Sequence, residues 1–287
     1  MTKTNPPTLR ARWLGKTMRE LRKEAGLPVN EVVKLLNRHR STFARFESGE
    51  LPIPSDELLF MLDIYRVSDI EQRSHILNLA EQVAQRGWWD GFNFGSGLAN
   101  YVWLESKASA IKIFDATTIP GIAQSADFAQ AIIRNGKLQG DEPQIKRALE
   151  ARAMRSQVLR KSVPPQVQLV LHEPVLSHQV GGPDVLRNQL DHLCDLGSKS
   201  HLCIKILPAE SWHHIALSVH SNFSLFNLPD EWPDVMAVES PLGFNYRESP
   251  DIESFEQAFH SLWNESALNE QESFDCLDSH LKEVTAS

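Results

Sequence analysis

The chain has 287 residues, of which 41% are apolar and 23% are charged. These values lie close to the averages for globular proteins, and they exclude collagen-like, low-complexity and disordered classes. The length predicts about two domains, each with its own core. The three cysteines, Cys194, Cys203 and Cys276, are too few and too scattered for a disulfide framework, which favours a reducing compartment. We find no segment typical of a signal peptide or a membrane span and expect a cytoplasmic protein.

Charge is distributed unevenly along the chain. Residues 1–55 hold 11 Lys and Arg against 5 Asp and Glu, a net charge of +6, whereas the other 232 residues hold 18 against 32, a net charge of −14. A basic amino-terminal region joined to an acidic body lets the basic region approach a polyanion that the body repels. The pattern favours a nucleic acid as the partner.

The amino-terminal part has the periodicity of five short helices. Apolar residues recur at three- and four-residue steps, Gly26 and Asn37 are suited to end helices, and Ser55 with Asp56 is suited to begin one. The sequence therefore predicts an all-α domain over residues 1–68. The predicted helices cover residues 9–25, 28–37, 41–48, a segment beginning at Ser55, and 69–87.

The remainder alternates helical and strand patterns. After a connecting helix and an aromatic, glycine-rich junction at 69–104, we predict an α+β domain over 105–287 with a mainly antiparallel sheet of four to six strands. Strands are predicted within residues 109–120, 163–174, 201–208, 215–229 and 234–240, and helices within 125–136, 142–161, 184–198, 251–268 and 269–284.

Helices two and three, separated by a tight turn, match the helix-turn-helix arrangement. Such a motif inserts the start of its second helix into the major groove, so Arg40, Ser41 and Arg45 are predicted to contact bases. Phe43 and Phe46 are predicted to face the core. The candidates for contacts with DNA phosphates are Arg12, Lys16, Arg19, Lys34, Arg38 and Thr42.

The stretch LRKEAGLPVNEVVKLLNRHRSTFARFESGE resembles the DNA-binding domain of the Cro/C1 (XRE) repressor family. The resemblance runs through Leu21, Gly26, Ser41, Arg45 and the residues around them. It implies a partly buried ion pair between Arg22 and Glu47. It also implies double-stranded DNA as partner and a homodimer on a palindromic site.

Segments at 119–133, 148–159, 167–190 and 204–214 resemble the carboxy-terminal domain of actinobacterial helix-turn-helix regulators of the WhiJ-like type. That resemblance implies a transcription regulator that is paired with a small acidic partner protein encoded nearby, in an antitoxin-like arrangement. Two interpretations follow from it. The chain is a regulator whose second domain dimerises and senses a partner or ligand, or it is an antitoxin-like protein that mainly sequesters its partner.

Other polar clusters favour no catalytic or metal chemistry. His192 and Cys194 lie two apart on a predicted helix and point in different directions, which argues against a zinc site with His201 and Cys203. A loop containing Trp212, His213, His214 and His220 is a candidate ligand or partner pocket. The alternative is that these histidines are ordinary exposed loop residues with no binding role. We therefore predict no enzyme activity, no metal and no cofactor.

Overall fold

A computed structural model describes residues 6–85, 87, 92, 96–136, 142–211, 221–229, 232–240 and 243–286. The chain divides into two compact units, Met1–Asn100 and Tyr101–Ser287. The first unit is helical and the second contains a six-stranded mixed sheet with helices, so the predicted fold class is confirmed.

Five helices build the first unit: α1 (Leu9–Glu24), α2 (Val29–Leu35), α3 (Arg40–Glu47), α4 (Ser55–Ile64) and α5 (Ile70–Ala84). Their apolar faces meet in one core, in which Met18, Phe43 and Met61 are fully buried. The segment expected as a connecting helix is α5, which packs against α1 inside this unit. Its buried residues Ile76 and Leu79 therefore extend the helical core.

Left-handed residues end the helices at the turns. Gly26 follows α1 with φ +69°, and Asn37 follows α2 with φ +51°. In both turns, two successive N–H groups donate to carbonyls of the last helical turn. After α1, Gly26 N donates to Lys23 O (2.9 Å) and Leu27 N donates to Arg22 O (3.1 Å). After α2, Asn37 N donates to Lys34 O (3.2 Å) and Arg38 N donates to Val33 O (2.9 Å). These bonds satisfy carbonyls that a helix end otherwise leaves open.

Gly49, which follows α3, is required for two reasons, and we expect Gly49→Ala to destabilise the first unit strongly. Its φ is +75°, and a Cβ there would lie 2.5 Å from the Ala11 carbonyl oxygen of α1. The left-handed conformation alone costs a larger residue roughly 1–3 kcal/mol. Gly26→Ala is the matched control, since its φ is +69° with nothing within 4 Å of the added atom. In urea unfolding, Gly49→Ala should lose clearly more stability than Gly26→Ala, and equal losses would contradict a close approach of α3 to α1.

Helix α6 (Ser96–Lys107) begins in the first unit and ends in the second. The second unit continues with β1 (Ala110–Asp115), α7 (Ala126–Asn135), α8 (Glu142–Ser156), β2 (Gln166–His172), α9 (Pro183–Gly197), β3 (Leu202–Leu207), β4 (Phe223–Asn227), β5 (Val235–Ser240), β6 (Gly243–Glu248), α10 (Glu253–Ser261) and α11 (Glu270–Ala286). Short 3₁₀ turns include Glu173–Ser177 after β2 and Ala209–Ser211 after β3.

The strand order is β3-β2-β1-β4-β5-β6. The pairs β1–β2 and β2–β3 are parallel, and the three other pairs are antiparallel. Parallel neighbours need a crossover, which α7 and α8 provide between β1 and β2, and α9 provides between β2 and β3. The carboxyl ends of β1, β2 and β3 therefore lie at one edge of the sheet.

Two elements escaped the sequence analysis. Helix α6 buries Val102, Trp103 and Leu104 in succession, so it lacks the one-sided apolar stripe that marks an amphipathic helix. Strand β6, with the sequence GFNYRE, alternates exposed and half-buried positions at the end of the sheet and carries little apolar signal.

Helix α11 covers the outer edge of β3. Leu268 N donates to Ile206 O (2.8 Å), and Ile206 N donates to Oγ of the fully buried Ser273 (3.0 Å). These bonds occupy backbone groups that an edge strand would otherwise expose. They also fix the rotation of α11, so that Cys276 and His280 face the end of β2.

Within the described parts of the chain, no helix has the length and apolar character needed to cross a membrane.

Candidate nucleic-acid interface

The helix expected to read DNA has one face in the core and one in solvent. Phe43 and Phe46 on α3 are 0% and 2% exposed, as the sequence predicted for core residues. Arg40, Ser41 and Arg45 are exposed. Their spacing places all three on one side of the helix, so two guanidinium groups and a hydroxyl are exposed together. Arg45 Nε also lies 3.7 Å from Oε2 of the exposed Glu50.

A buried ion pair holds α3 against α1. Arg22 Nε donates to Glu47 Oε1 at 2.6 Å, and Arg22 Nη2 donates to Glu47 Oε2 at 3.2 Å. The two side chains are only 10% and 6% exposed. The hydrogen bond to Glu47 raises the pKa of Arg22, so the guanidinium stays charged. Arg22 Nη1 also donates to Leu27 O (2.9 Å), which ties the turn before α2 to the same group.

Close backbone contact fixes the same two helices. A Cβ at Gly15 of α1 would lie 2.7 Å from Phe46 O and 2.8 Å from Glu47 O. Only glycine permits this approach. The exposed face of α3 is therefore presented on a rigid support.

The six residues predicted to contact phosphates occupy different settings. Arg12, Lys16, Arg19, Lys34 and Arg38 are exposed and Thr42 is half-buried. Two of them have acidic partners inside the unit: Arg19 Nε lies 3.3 Å from Glu47 Oε2, and Arg38 Nη2 lies 2.6 Å from Glu57 Oε1. Lys16 and Lys34 form no ion pair with a described residue. These two lysines are thus the cations most available to a phosphate.

Two features were missed from the sequence. The pair between Arg38 and the buried Glu57 links the α2–α3 turn to α4. The two residues are 19 positions apart, so no local sequence pattern predicts their contact. Ala44 is exposed among Arg40, Ser41 and Arg45. Its methyl group suits apolar contact with a thymine methyl, and its position one turn after Arg40 was the signal that could have identified it.

The remaining candidate positions are the loop predicted as a ligand or partner pocket and the two cysteines weighed as zinc ligands. Trp212, His213, His214 and His220 lie outside the described residues. Half-buried Cys194 lies on α9 and Cys203 on β3. In the described ranges, neither cysteine joins a set of three ligands that could hold one ion.

Comparison with known families agrees with this geometry. A model described as a helix-turn-helix domain matches residues 13–75. A second model, described as a domain of unknown function (DUF5753), matches residues 98–279, more than half of the chain. The chain belongs to the DUF5753 family. No curated protein and no solved structure matches this DUF5753 chain. Its first unit carries a helix-turn-helix domain of the kind that binds DNA, whereas the DUF5753 match assigns no chemistry to its second.

Proposed function

We propose that this DUF5753 protein is a sequence-specific transcription regulator of the Cro/C1 (XRE) kind and not an enzyme. The observation that carries the proposal is the exposed face of α3, where Arg40, Ser41 and Arg45 stand together above the buried Arg22–Glu47 pair. Arginine can donate two parallel hydrogen bonds to guanine O6 and N7, and serine can serve a donor or an acceptor edge. A rigidly held helix with this face is suited to the major groove.

Phosphate contacts would supply most of the affinity. Lys16 and Lys34 offer exposed ammonium groups, and Arg12, Arg19, Arg38 and Thr42 complete the set in the proposal. The net charge of +6 over residues 1–55 favours this approach, while the net charge of −14 over residues 56–287 opposes binding by the remainder of the chain.

The second unit would act in dimerisation and sensing. One helix-turn-helix module reads few base pairs, so a homodimer on two half-sites gives useful specificity. A ligand or a small acidic partner protein bound to the DUF5753 domain would change the spacing of the two α3 helices and so the operator affinity. This part of the proposal rests on the two-unit organisation and the uneven charge.

The test begins with fragments that the tag-free full chain selects from a random DNA library. We expect Arg40→Ala combined with Arg45→Ala to weaken binding to the selected sequence by roughly 30-fold or more, because each bidentate base contact is worth about 1–3 kcal/mol. Binding to unrelated DNA should fall much less. Gel-shift titration at one fixed salt concentration measures both affinities.

A charge-matched control removes two arginines of the second unit. Arg134→Ala combined with Arg187→Ala makes the same change in net charge at side chains that are each 43% exposed. It should leave the affinity for the selected sequence within about twofold. A double variant of α3 that kept the wild-type sequence preference would show that another element reads the bases.

A further inference from the structure

Three metal-ligating side chains from distant parts of the sequence converge in the second unit. Glu173 begins the 3₁₀ turn after β2, and Cys276 and His280 lie on α11. One carboxylate oxygen, the Cys276 Sγ and a His280 ring nitrogen all lie within 4.8 Å of one another. All three residues are half-buried, so the group is neither a solvated acidic patch nor a lone thiol.

The backbone is suited to this use. Cys276 and His280 are four apart on a helix, so both point to the same side, as paired metal ligands on helices do. Glu173 lies at the carboxyl end of β2, and ligands of open sheets with parallel strands bind at the carboxyl ends of the strands. The buried hydrogen bond of Ser273 to Ile206, one turn before Cys276, sets the rotation that brings α11 over this edge.

Hydrogen bonds also orient two of the three groups. Glu173 Oε2 accepts from Ala209 N at 3.0 Å, which holds the carboxylate against the end of β3. His280 Nδ1 lies 3.0 Å from the Cys276 carbonyl oxygen and 3.8 Å from Cys276 Sγ. Supporting bonds of this kind hold metal ligands in place and account for much of a site's affinity.

We propose that Glu173, Cys276 and His280 form a binding site for a divalent zinc ion. Thiolate, imidazole and carboxylate together suit zinc and disfavour calcium and magnesium, which take oxygen ligands. Three protein ligands leave the fourth tetrahedral position for water or a further ligand. The ion would join α11 to the end of β2.

Zinc binding involves a proton and the charges around Cys276. A zinc ion bound here replaces the proton of the Cys276 thiol: the S–H bond is lost, a zinc–sulfur bond forms and one proton is released. The nearby carboxylates of Glu173 and Glu283 act on the thiol electrostatically, and their negative charge attracts a divalent ion.

The test uses the tag-free full chain, reduced and stripped of metal, in competition with a chromophoric zinc chelator. We expect one zinc ion per chain in the wild type. Cys276→Ser and His280→Gln should each weaken zinc binding by more than about 100-fold, because loss of even a supporting partner costs roughly 10–100-fold. Glu173→Gln should weaken it in the same direction.

Cys203→Ser is the matched control. Cys203 is also a half-buried thiol, and among the described residues it belongs to no set of three metal-ligating groups. This variant should retain wild-type zinc affinity within about twofold. Wild-type affinity in Cys276→Ser would place the zinc elsewhere and overturn the proposal.

Cobalt gives a readout that does not depend on stability. Cobalt bound at this site should show a thiolate-to-metal charge-transfer band in the near ultraviolet, present in Cys203→Ser and absent in Cys276→Ser.

Zinc should also raise the thermal unfolding midpoint of the wild type and leave that of Cys276→Ser unchanged, since a ligand stabilises only the state that binds it. A cobalt complex without the charge-transfer band would overturn the proposal even if zinc bound.

Discussion

Glu47→Gln is expected to lower the free energy of unfolding of the first unit by about 3–5 kcal/mol, because it leaves the Arg22 guanidinium buried without its counter-charge. Arg22 is 10% exposed at its side chain, and two of its nitrogens donate to Glu47. Urea is the suitable denaturant, since guanidinium chloride would screen the charges under test. Circular dichroism of the helices follows the transition.

Two further variants test whether loss of the Arg22–Glu47 ion pair causes the lower stability of Glu47→Gln. Glu50→Gln changes a carboxylate that is 55% exposed and lies 3.7 Å from Arg45, so it should alter stability by less than about 1 kcal/mol. Replacing both partners, Arg22→Met with Glu47→Leu, should recover most of the loss, since well-packed apolar residues often substitute for a buried pair at little cost. A double variant as unstable as Glu47→Gln would show that other contacts of Glu47 dominate.

Glu105→Gln is expected to have an effect of the same size, about 3–5 kcal/mol, on the second unit. Arg155 donates to both Glu105 oxygens at 2.8 Å and lies over the Tyr101 ring, 5.1 Å from its centroid. Burial lowers the pKa of Arg155, but the charge and hydrogen bonds of Glu105 outweigh burial and raise it. Burial and then the charge of Arg155 lower the pKa of nearby Arg152 to about 10. Loss of Glu105 would leave these two cations side by side without the carboxylate that pairs Arg155.

An exposed pair of the same geometry provides the control for Glu105. Arg134 donates to both oxygens of Glu142, at 2.8 and 3.3 Å, but Glu142 is 72% exposed whereas Glu105 is 3% exposed. Glu142→Gln should therefore cost no more than about 1 kcal/mol in urea unfolding. If Glu105→Gln and Glu142→Gln lowered the free energy of unfolding equally, burial would not determine how much the Glu105–Arg155 pair stabilises the second unit.

Local pattern was sufficient to predict the helix-turn-helix unit. Helices α1 and α2 end where Gly26 and Asn37 adopt a left-handed conformation. On α3, helical spacing places Phe43 and Phe46 on the buried face and Arg40 and Arg45 on the exposed one. These features depend on neighbours within a few positions. A periodic pattern therefore reports them directly.

Apart from the Arg22–Glu47 pair, which the family resemblance implied, contacts that depend on tertiary packing were not predictable. The approach of Gly15 to Phe46 O, the pairing of Arg38 with Glu57 and the meeting of Glu173 with Cys276 arise only when separate elements pack together. The spacing of Cys194 and Cys203 invited a test as zinc ligands, whereas Cys276 has only His280 close to it in sequence. Its third partner, Glu173, lies 103 positions earlier in the chain. Only the parallel order of β2 and β3, with α11 along the edge, brings that carboxylate near.

A salt titration of the footprint on selected DNA tests the reading of DNA by α3 most directly. We expect the wild type to protect a defined sequence that contacts the face of Arg40, Ser41 and Arg45. Its affinity should fall steeply with salt, by about 10³-fold between 50 and 200 mM for a protein that makes six or more phosphate contacts. The Arg40→Ala and Arg45→Ala double variant should lose the footprint. A nearly flat salt dependence, or an unchanged footprint in the double variant, would contradict binding through this face.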